Sequence, residues 1–164
     1  GYHQVESEWW DFLPLHGVKG QTATFTFEET LPLPCSVSSL GYMAFMKLNP
    51  SQITTGSTYE HKFEHTKPTP EGLKRLKEKL DNTFPGYTEK SISSEQWAGV
   101  RVTLPDKKPV IGSHPEIRGL ALIGALGSKG LLLGRYLAEE LVSHILDGED
   151  IAPTVSVQRY LSTG

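Results

Sequence analysis

Three glycines at equal spacing, Gly124, Gly127 and Gly130, separate a short apolar run, residues 120–123, from a helical pattern that follows. A strand that passes through glycines into a helix leaves several backbone N–H groups unpaired at the positive end of the helix dipole. Such a corner suits an anion or an electron-rich carbonyl, and glycine lets a ligand approach where a Cβ would intrude. The same spacing is equally explained by close strand–helix packing. A dinucleotide fingerprint needs Gly-x-Gly-x-x-Gly, a second parallel strand and an acidic residue about 20 positions on. Here the spacing is Gly-x-x-Gly-x-x-Gly and no βαβ partner follows, so a primary nucleotide site is not expected. The second chemical feature is Arg101, placed between Val100 and Val102. A guanidinium among apolar neighbours calls for a carboxylate, either a structural partner or a ligand, because an unpaired buried charge is prohibitively unfavourable.

Other chemistries find little support. His61 and His65 stand four apart but in a stretch of Thr and Lys without a helical apolar face, so no metal site is expected. Cys35, the single cysteine, has no basic neighbours to activate it and cannot form an internal disulfide. No Gly-x-Ser-x-Gly elbow occurs. The 164 residues suffice for one domain and a remainder, and 16 Lys and Arg against 19 Asp and Glu give a net charge of -3. With 21% charged and 37% apolar residues the chain is expected to be globular, and the charge argues against a DNA-binding surface and disfavours a tRNA-binding one. No run of 18 apolar residues is present, so a membrane span is not expected. The chain begins at Gly1 without methionine or a secretory pattern; it is expected to be a fragment, located in the cytoplasm.

The elements that must position these residues follow from periodicity. Residues 22–27 alternate strictly, with Ala23, Phe25 and Phe27 on one face and Thr22, Thr24 and Thr26 on the other, predicting a half-buried strand. Residues 2–21, with Gly17, Lys19, Gly20 and Gln21 at their end, read as irregular chain entering it. Runs 41–48 and 52–58 around Asn49, Pro50 and Ser51 predict a hairpin. Leu73, Leu76, Leu80 and Phe84 predict a helix over residues 70–84, with Thr69 as N-cap and Pro70 at the first position. Its basic run, residues 74–79, is interleaved with acids and reads as a solvated face. Residues 97–104 and 109–112 read as strands, and residues 120–123 as a strand buried on both faces. Leu133, Leu137, Leu141 and Ile145 mark the inward face of a last helix that stops at Asp147 and Gly148, with Arg135, Glu139, Glu140 and His144 opposite.

Taken in order, these motifs resemble one family. Residues 97–112, with Gly99, Arg101, Pro105, Asp106, Pro109, Ile111 and Gly112, look like the GxRxxTPDxxPxIG stretch of the D-amino-acid-oxidase-like (DAO) FAD-dependent oxidoreductases. Residues 119–131 are similar to the strand, glycine turn and final helix that follow it there, and residues 15–21 resemble the family's PVRGQ entry to the substrate domain. The resemblance, from about residue 13 to 147, implies an α+β fold: an antiparallel or mixed substrate-binding sheet with flanking helices, plus the last strand and helix of a Rossmann-type FAD domain. It implies a substrate-binding cap over residues 1–118, the strand, turn and helix over 119–148, and a C-terminal tail over 149–164. It further implies non-covalent FAD, with Gly124, Gly127, Ser128, Lys129, Gly130 and Leu131 beside the flavin and Arg101 on a substrate carboxylate. The cysteine that attaches flavin in sarcosine-oxidase-like members is replaced here by Gly99, and their lysine by Leu132. The implied activity is oxidation of a small amine or amino acid by hydride transfer to flavin, with glycine-oxidase-like and tRNA wobble-uridine-modifying members both similar. The N-terminal FAD-binding half would be the missing partner, and this piece alone is expected to be inactive and without flavin. The alternative is a non-catalytic domain of the same ancestry that binds small carboxylates or partners.

Overall fold

The computed structural model of the protein describes residues 1–46 and 48–161. Lys47, inside the predicted hairpin, and residues 162–164 of the expected tail lie outside the described residues. The chain divides into two compact units, one of residues 19–100 and one of residues 1–18 with 101–164. The boundaries expected at 118/119 and 148/149 are not among these divisions.

The unit of residues 19–100 is built on a five-stranded sheet. Its strands are β1 (His16–Thr26), β2 (Val37–Ser38), β3 (Tyr42–Met46), β4 (Asn49–Gly56) and β5 (Ser93–Thr103), in the order β2-β3-β4-β1-β5. β1 and β4 pair antiparallel with Phe25 opposite Ile53, as do β3 and β4 with Phe45 opposite Ile53. Asn49 and Pro50 already belong to β4, so the hairpin reverses before the Asn49-Pro50-Ser51 signal rather than at it. The alternation of β1 holds: Ala23, Phe25 and Phe27 are buried in one cluster with Met43, Ile53, Leu76 and Leu80.

Helix α1 (Pro70–Thr83) covers that face with Leu76 and Leu80, both fully buried. Thr69 caps it, accepting a hydrogen bond from the Gly72 N–H at 3.1 Å. A short helix, α2 (Tyr87–Lys90), follows and was not legible in the sequence. It is tied back to α1 where the Thr88 N–H and hydroxyl both donate to Asp81.

The first half of β1 keeps its alternation but with polar side chains. Lys19 and Gln21, 1% and 0% exposed, point to the same face as Ala23. Lys19 Nζ lies 3.7 Å from Glu60 Oε2. Gln21 Nε2 donates to Glu60 Oε1 at 2.7 Å and to Thr69 Oγ1 at 2.9 Å, while its Oε1 accepts from the Thr69 N–H and Gln96 Nε2. A Cβ on residue 72 would fall 2.3 Å from Gln21 Nε2, so only glycine there lets the amide lie against α1.

The other unit holds β6 (Val110–Ser113) and β7 (Ala121–Gly124), an antiparallel pair, then α3 (Gly130–Asp147). Trp10, Leu13, Leu104, Val110, Leu122, Ala125 and Val157 form its core. β7 is fully covered on one side only: Leu122 and Gly124 are buried, Ala121 and Ile123 half-buried. α3 ends at Gly148 in the left-handed conformation, as its sequence predicts. Its inward face differs from the prediction. Leu137 is buried and Leu133 and Leu141 are half-buried, but Ile145 is 53% exposed, and Leu131, Leu132, Tyr136, Val142 and Leu146 are exposed too. Among the described residues no helix is long and apolar enough to cross a membrane.

Burial, the largest single influence on Glu60, raises its pKa. The hydrogen bonds from Thr58 and Gln21 and the charges of Lys19 and Arg75 together outweigh it and hold the carboxyl below the usual glutamate range. A carboxylate with a depressed folded pKa contributes stability above its unfolded value, about pH 4, and that contribution is lost as pH falls through the folded value. Glu60→Gln leaves the buried Lys19 ammonium without its counter-charge and is expected to destabilise the fold by roughly 3 kcal/mol at neutral pH. Urea unfolding of parent and variant should converge as the buffer is acidified below about pH 4; a constant gap across that range would contradict the role of the carboxylate.

Candidate functional site

The candidate residues Arg101, Gly127, Ser128, Lys129, Gly130 and Leu131 all belong to the unit of residues 1–18 with 101–164. β5 delivers Arg101, half-buried, directly before Val102, which is 7% exposed and points into the core. β7 delivers the turn. Two of its residues adopt the left-handed conformation, Gly127 at φ 55 and the non-glycine Ala125 at φ 52. Ala125 is 3% exposed and so holds that unfavourable backbone inside the core.

This double twist aims the Gly127 N–H back at the sheet, where it donates to the Val102 carbonyl at 3.1 Å. The Lys129 N–H closes the turn on Leu126 O at 2.9 Å. Among the described residues nothing accepts the N–H groups of Ser128, Gly130 or Leu131. The helix they open has no side-chain cap and no acidic residue in its first turn, and its N-cap is Lys129, an exposed cation. A positive charge at the positive end of a helix dipole is unfavourable by itself and favourable beside a negative group.

The four glycines of this region differ. A Cβ on Gly124 would meet Gln4 Oε1 at 3.0 Å, and Gln4 Nε2 donates to Ile123 O at 3.2 Å, so Gly124 is buried under the first turn of the chain. A Cβ on Gly127 or Gly134 would meet nothing within 4 Å, and one on Gly130 only Leu126 at 3.9 Å. Close packing therefore explains Gly124, backbone conformation explains Gly127, and neither explains Gly130. An open groove of about 690 Å³ in the same unit is bordered by Gly112, His144, Ile151, Pro153 and Val157, and none of the candidate residues lines it.

The DAO family of FAD dependent oxidoreductases matches residues 4–144. The chain belongs to this family. Glycine oxidase of Pseudomonas putida is 33% identical over 152 residues, which are 93% of this chain and 40% of that protein. The tRNA 5-methylaminomethyl-2-thiouridine biosynthesis bifunctional protein of Thiobacillus denitrificans is 28% identical over 148 residues, 80% of this chain and 22% of that one. Iminodiacetate oxidase from Chelativorans sp. BNC1 shares the fold with a TM-score of 0.68 at 24% identity, over 90% of this chain and 40% of its own. Glycine oxidase from Geobacillus kaustophilus does so with a TM-score of 0.68 at 22% identity, over 85% and 37%. The chain spans between 22% and 40% of the lengths of these DAO-family relatives.

Sequence reasoning found the turn and the arginine but missed the bond that joins their strands and the left-handed Ala125. Neither leaves a compositional mark, since a carbonyl acceptor is present at every residue and alanine gives no sign of positive φ. The conformational account yields a paired expectation. Gly127→Ala should lower stability by about 1–2 kcal/mol from backbone strain alone, while Gly134→Ala, mid-helix and equally unobstructed, should raise it by about 0.5–1 kcal/mol. Urea denaturation of both variants against the parent reads the difference in sign.

Proposed function

We propose that this chain is the substrate-binding portion of an FAD-dependent oxidoreductase that oxidises a carboxylate-bearing amine or amino acid. The observation that carries the reading is the Gly127 N–H to Val102 O bond, which holds an arginine-bearing strand against a corner with open amide donors. Family membership supplies the cofactor, and the corner's chemistry suits it. The free N–H groups of Ser128, Gly130 and Leu131, the helix dipole and Lys129 together favour an electron-rich or negatively charged edge, and the space over Gly127 and Gly130 leaves room for one. FAD, when bound, supplies a two-electron acceptor for the substrate's C–H bond.

The chain's own residues do the rest. The Arg101 guanidinium grips the substrate carboxylate through its planar fork and so fixes the orientation of the amine-bearing carbon. The backbone donors at 128, 130 and 131 stabilise negative charge on the group they face without reorganising. Gly124 acts beneath them as a packing residue. The identity with glycine oxidase over 93% of the chain favours an amino-acid substrate over a modified base. The uncovered apolar side of α3 is the surface on which the FAD-binding half of the complete polypeptide would pack.

The test uses the complete polypeptide. Purified protein should carry flavin absorbance that bleaches anaerobically with a small amino acid; a preparation that binds no flavin refutes the assignment. Gly130→Ala should leave the melting temperature of the apoprotein unchanged or higher, yet weaken flavin retention about tenfold, equivalent to about 1.4 kcal/mol. Arg101→Lys should raise the KM for the amino acid by roughly 5–150-fold, corresponding to loss of about 1–3 kcal/mol of charge-assisted bidentate bonding, with flavin content unchanged. Equal KM values for variant and parent would remove Arg101 from the site.

A further inference from the structure

Residues 152–160, which follow α3, are an integral part of their unit. The Ala152 N–H donates to Glu140 Oε1 at 2.7 Å, the Ile111 N–H donates to Val155 O at 2.8 Å, and Ser156 bridges Ile111 in parallel. Val157, 1% exposed, fills the space above Gly112, where a Cβ would lie 2.7 Å from its Cγ1. The segment then presents Arg159, whose side chain is 16% exposed. Its Nε donates to Asp106 Oδ2 at 3.1 Å, its Nη2 to Pro109 O at 2.9 Å and its Nη1 to Ser156 O at 3.0 Å, and its guanidinium lies 4.8 Å over the Tyr160 ring.

Asp106 shapes the turn that Arg159 grips. It accepts the Lys108 N–H at 3.0 Å, and Lys107, at φ 56, donates its N–H to Leu104 O at 2.9 Å. Beyond this turn the chain runs back through the fully buried Leu104 to Val102, whose carbonyl takes the Gly127 N–H, and to Arg101. The Arg101 end of β5 is therefore held at two points. One is the corner itself, and the other is an arginine fork that joins a carboxylate and two carbonyls from separate parts of the chain.

We propose that Arg159 and Asp106 are positioning residues for the carboxylate subsite: their clamp fixes the end of β5 and so the placement of Arg101 relative to the Gly127 corner. This rests on the carboxylate-binding role proposed for Arg101. A lysine at 159 keeps the charge beside Asp106 but has no fork to reach both carbonyls at once. The clamp acts on placement, so its loss should affect substrates that use the arginine and spare those that do not.

The experiment compares a small amino acid with its methyl ester in the complete flavoprotein, using parent, Arg101→Lys, Arg159→Lys and Asp106→Asn. Expected is a roughly tenfold fall in the acid-to-ester ratio of kcat/KM in both clamp variants, within the roughly 10²-fold that a remote misplacement of about 1 Å can cost. It should arise through KM for the acid, with kcat/KM for the ester and flavin content unchanged. Hydrogen exchange of the Gly127 amide should quicken in the same variants, a readout independent of turnover. Asp106→Asn retains an acceptor for the Lys108 N–H and serves where Arg159→Lys is not recovered folded. A parental ratio in the clamp variants, with Arg101→Lys lowering it, overturns the clamp alone. Equal losses on acid and ester also overturn it, since they mark a general structural role. A ratio unmoved by Arg101→Lys overturns the arginine's assignment and the clamp with it.

Discussion

One backbone hydrogen bond organises the candidate site: the Gly127 N–H to the Val102 carbonyl. To make it, the chain leaving β7 must turn twice through the left-handed region, once at a glycine and once at Ala125 inside the core. The reward is geometric, since the bond has no rotatable side chain in it. The strand that carries Arg101 and the corner that carries the open amides are thereby fixed to each other by main chain alone. Leu104 and Ala125, two positions along the chain from the bonded residues, belong to the core with Trp10, Val110, Leu122 and Val157.

Electrostatics at the corner make sense only in company. Lys129 stands at the N-terminus of an 18-residue helix that has no acidic residue in its first turn and no capping side chain. In the isolated fold this choice opposes the dipole, and any Ser, Asp or Asn at that position would serve the helix better. Natural sequences break local rules chiefly where function asks for it. Under the proposed function that exception has a chemical reason, an electron-rich group facing the corner.

Much of the fold was legible where periodicity and capping agree. α1 is the clearest case, with Thr69, Pro70 and the Leu76–Leu80 stripe all pointing to one helix, and the second half of β1 is another. The first half of β1 was hidden because its inward residues are Lys19 and Gln21, whose burial is made tolerable by Glu60, Thr69 and Gln96, partners 39 or more positions distant in the chain. No window of local sequence holds that information. The inward face of α3 was only partly legible for the opposite reason: Leu131, Leu132, Val142 and Leu146 are exposed along with Arg135 and Glu139, so the polar side of the helix is not cleanly polar. At the candidate site, residue types revealed Arg101 and the glycines, while the Val102 carbonyl and the grip of Arg159 on the 105–109 turn belong to tertiary structure.

The leucines on the outer side of α3 have a consequence for how such a molecule behaves in solution. Leu131 and Leu146 are 106% and 75% exposed, with Leu132 and Val142 between them, and the Arg135–Glu139 ion pair is the main polar interruption. Hydration of so much clustered hydrocarbon is unfavourable, and any surface that displaces the water lowers the free energy. Synthesised by itself, the polypeptide is an adhesive body whose self-association grows with concentration and with kosmotropic salt. Colloidal behaviour, more than unfolding, then sets the concentration at which these 164 residues remain dispersed.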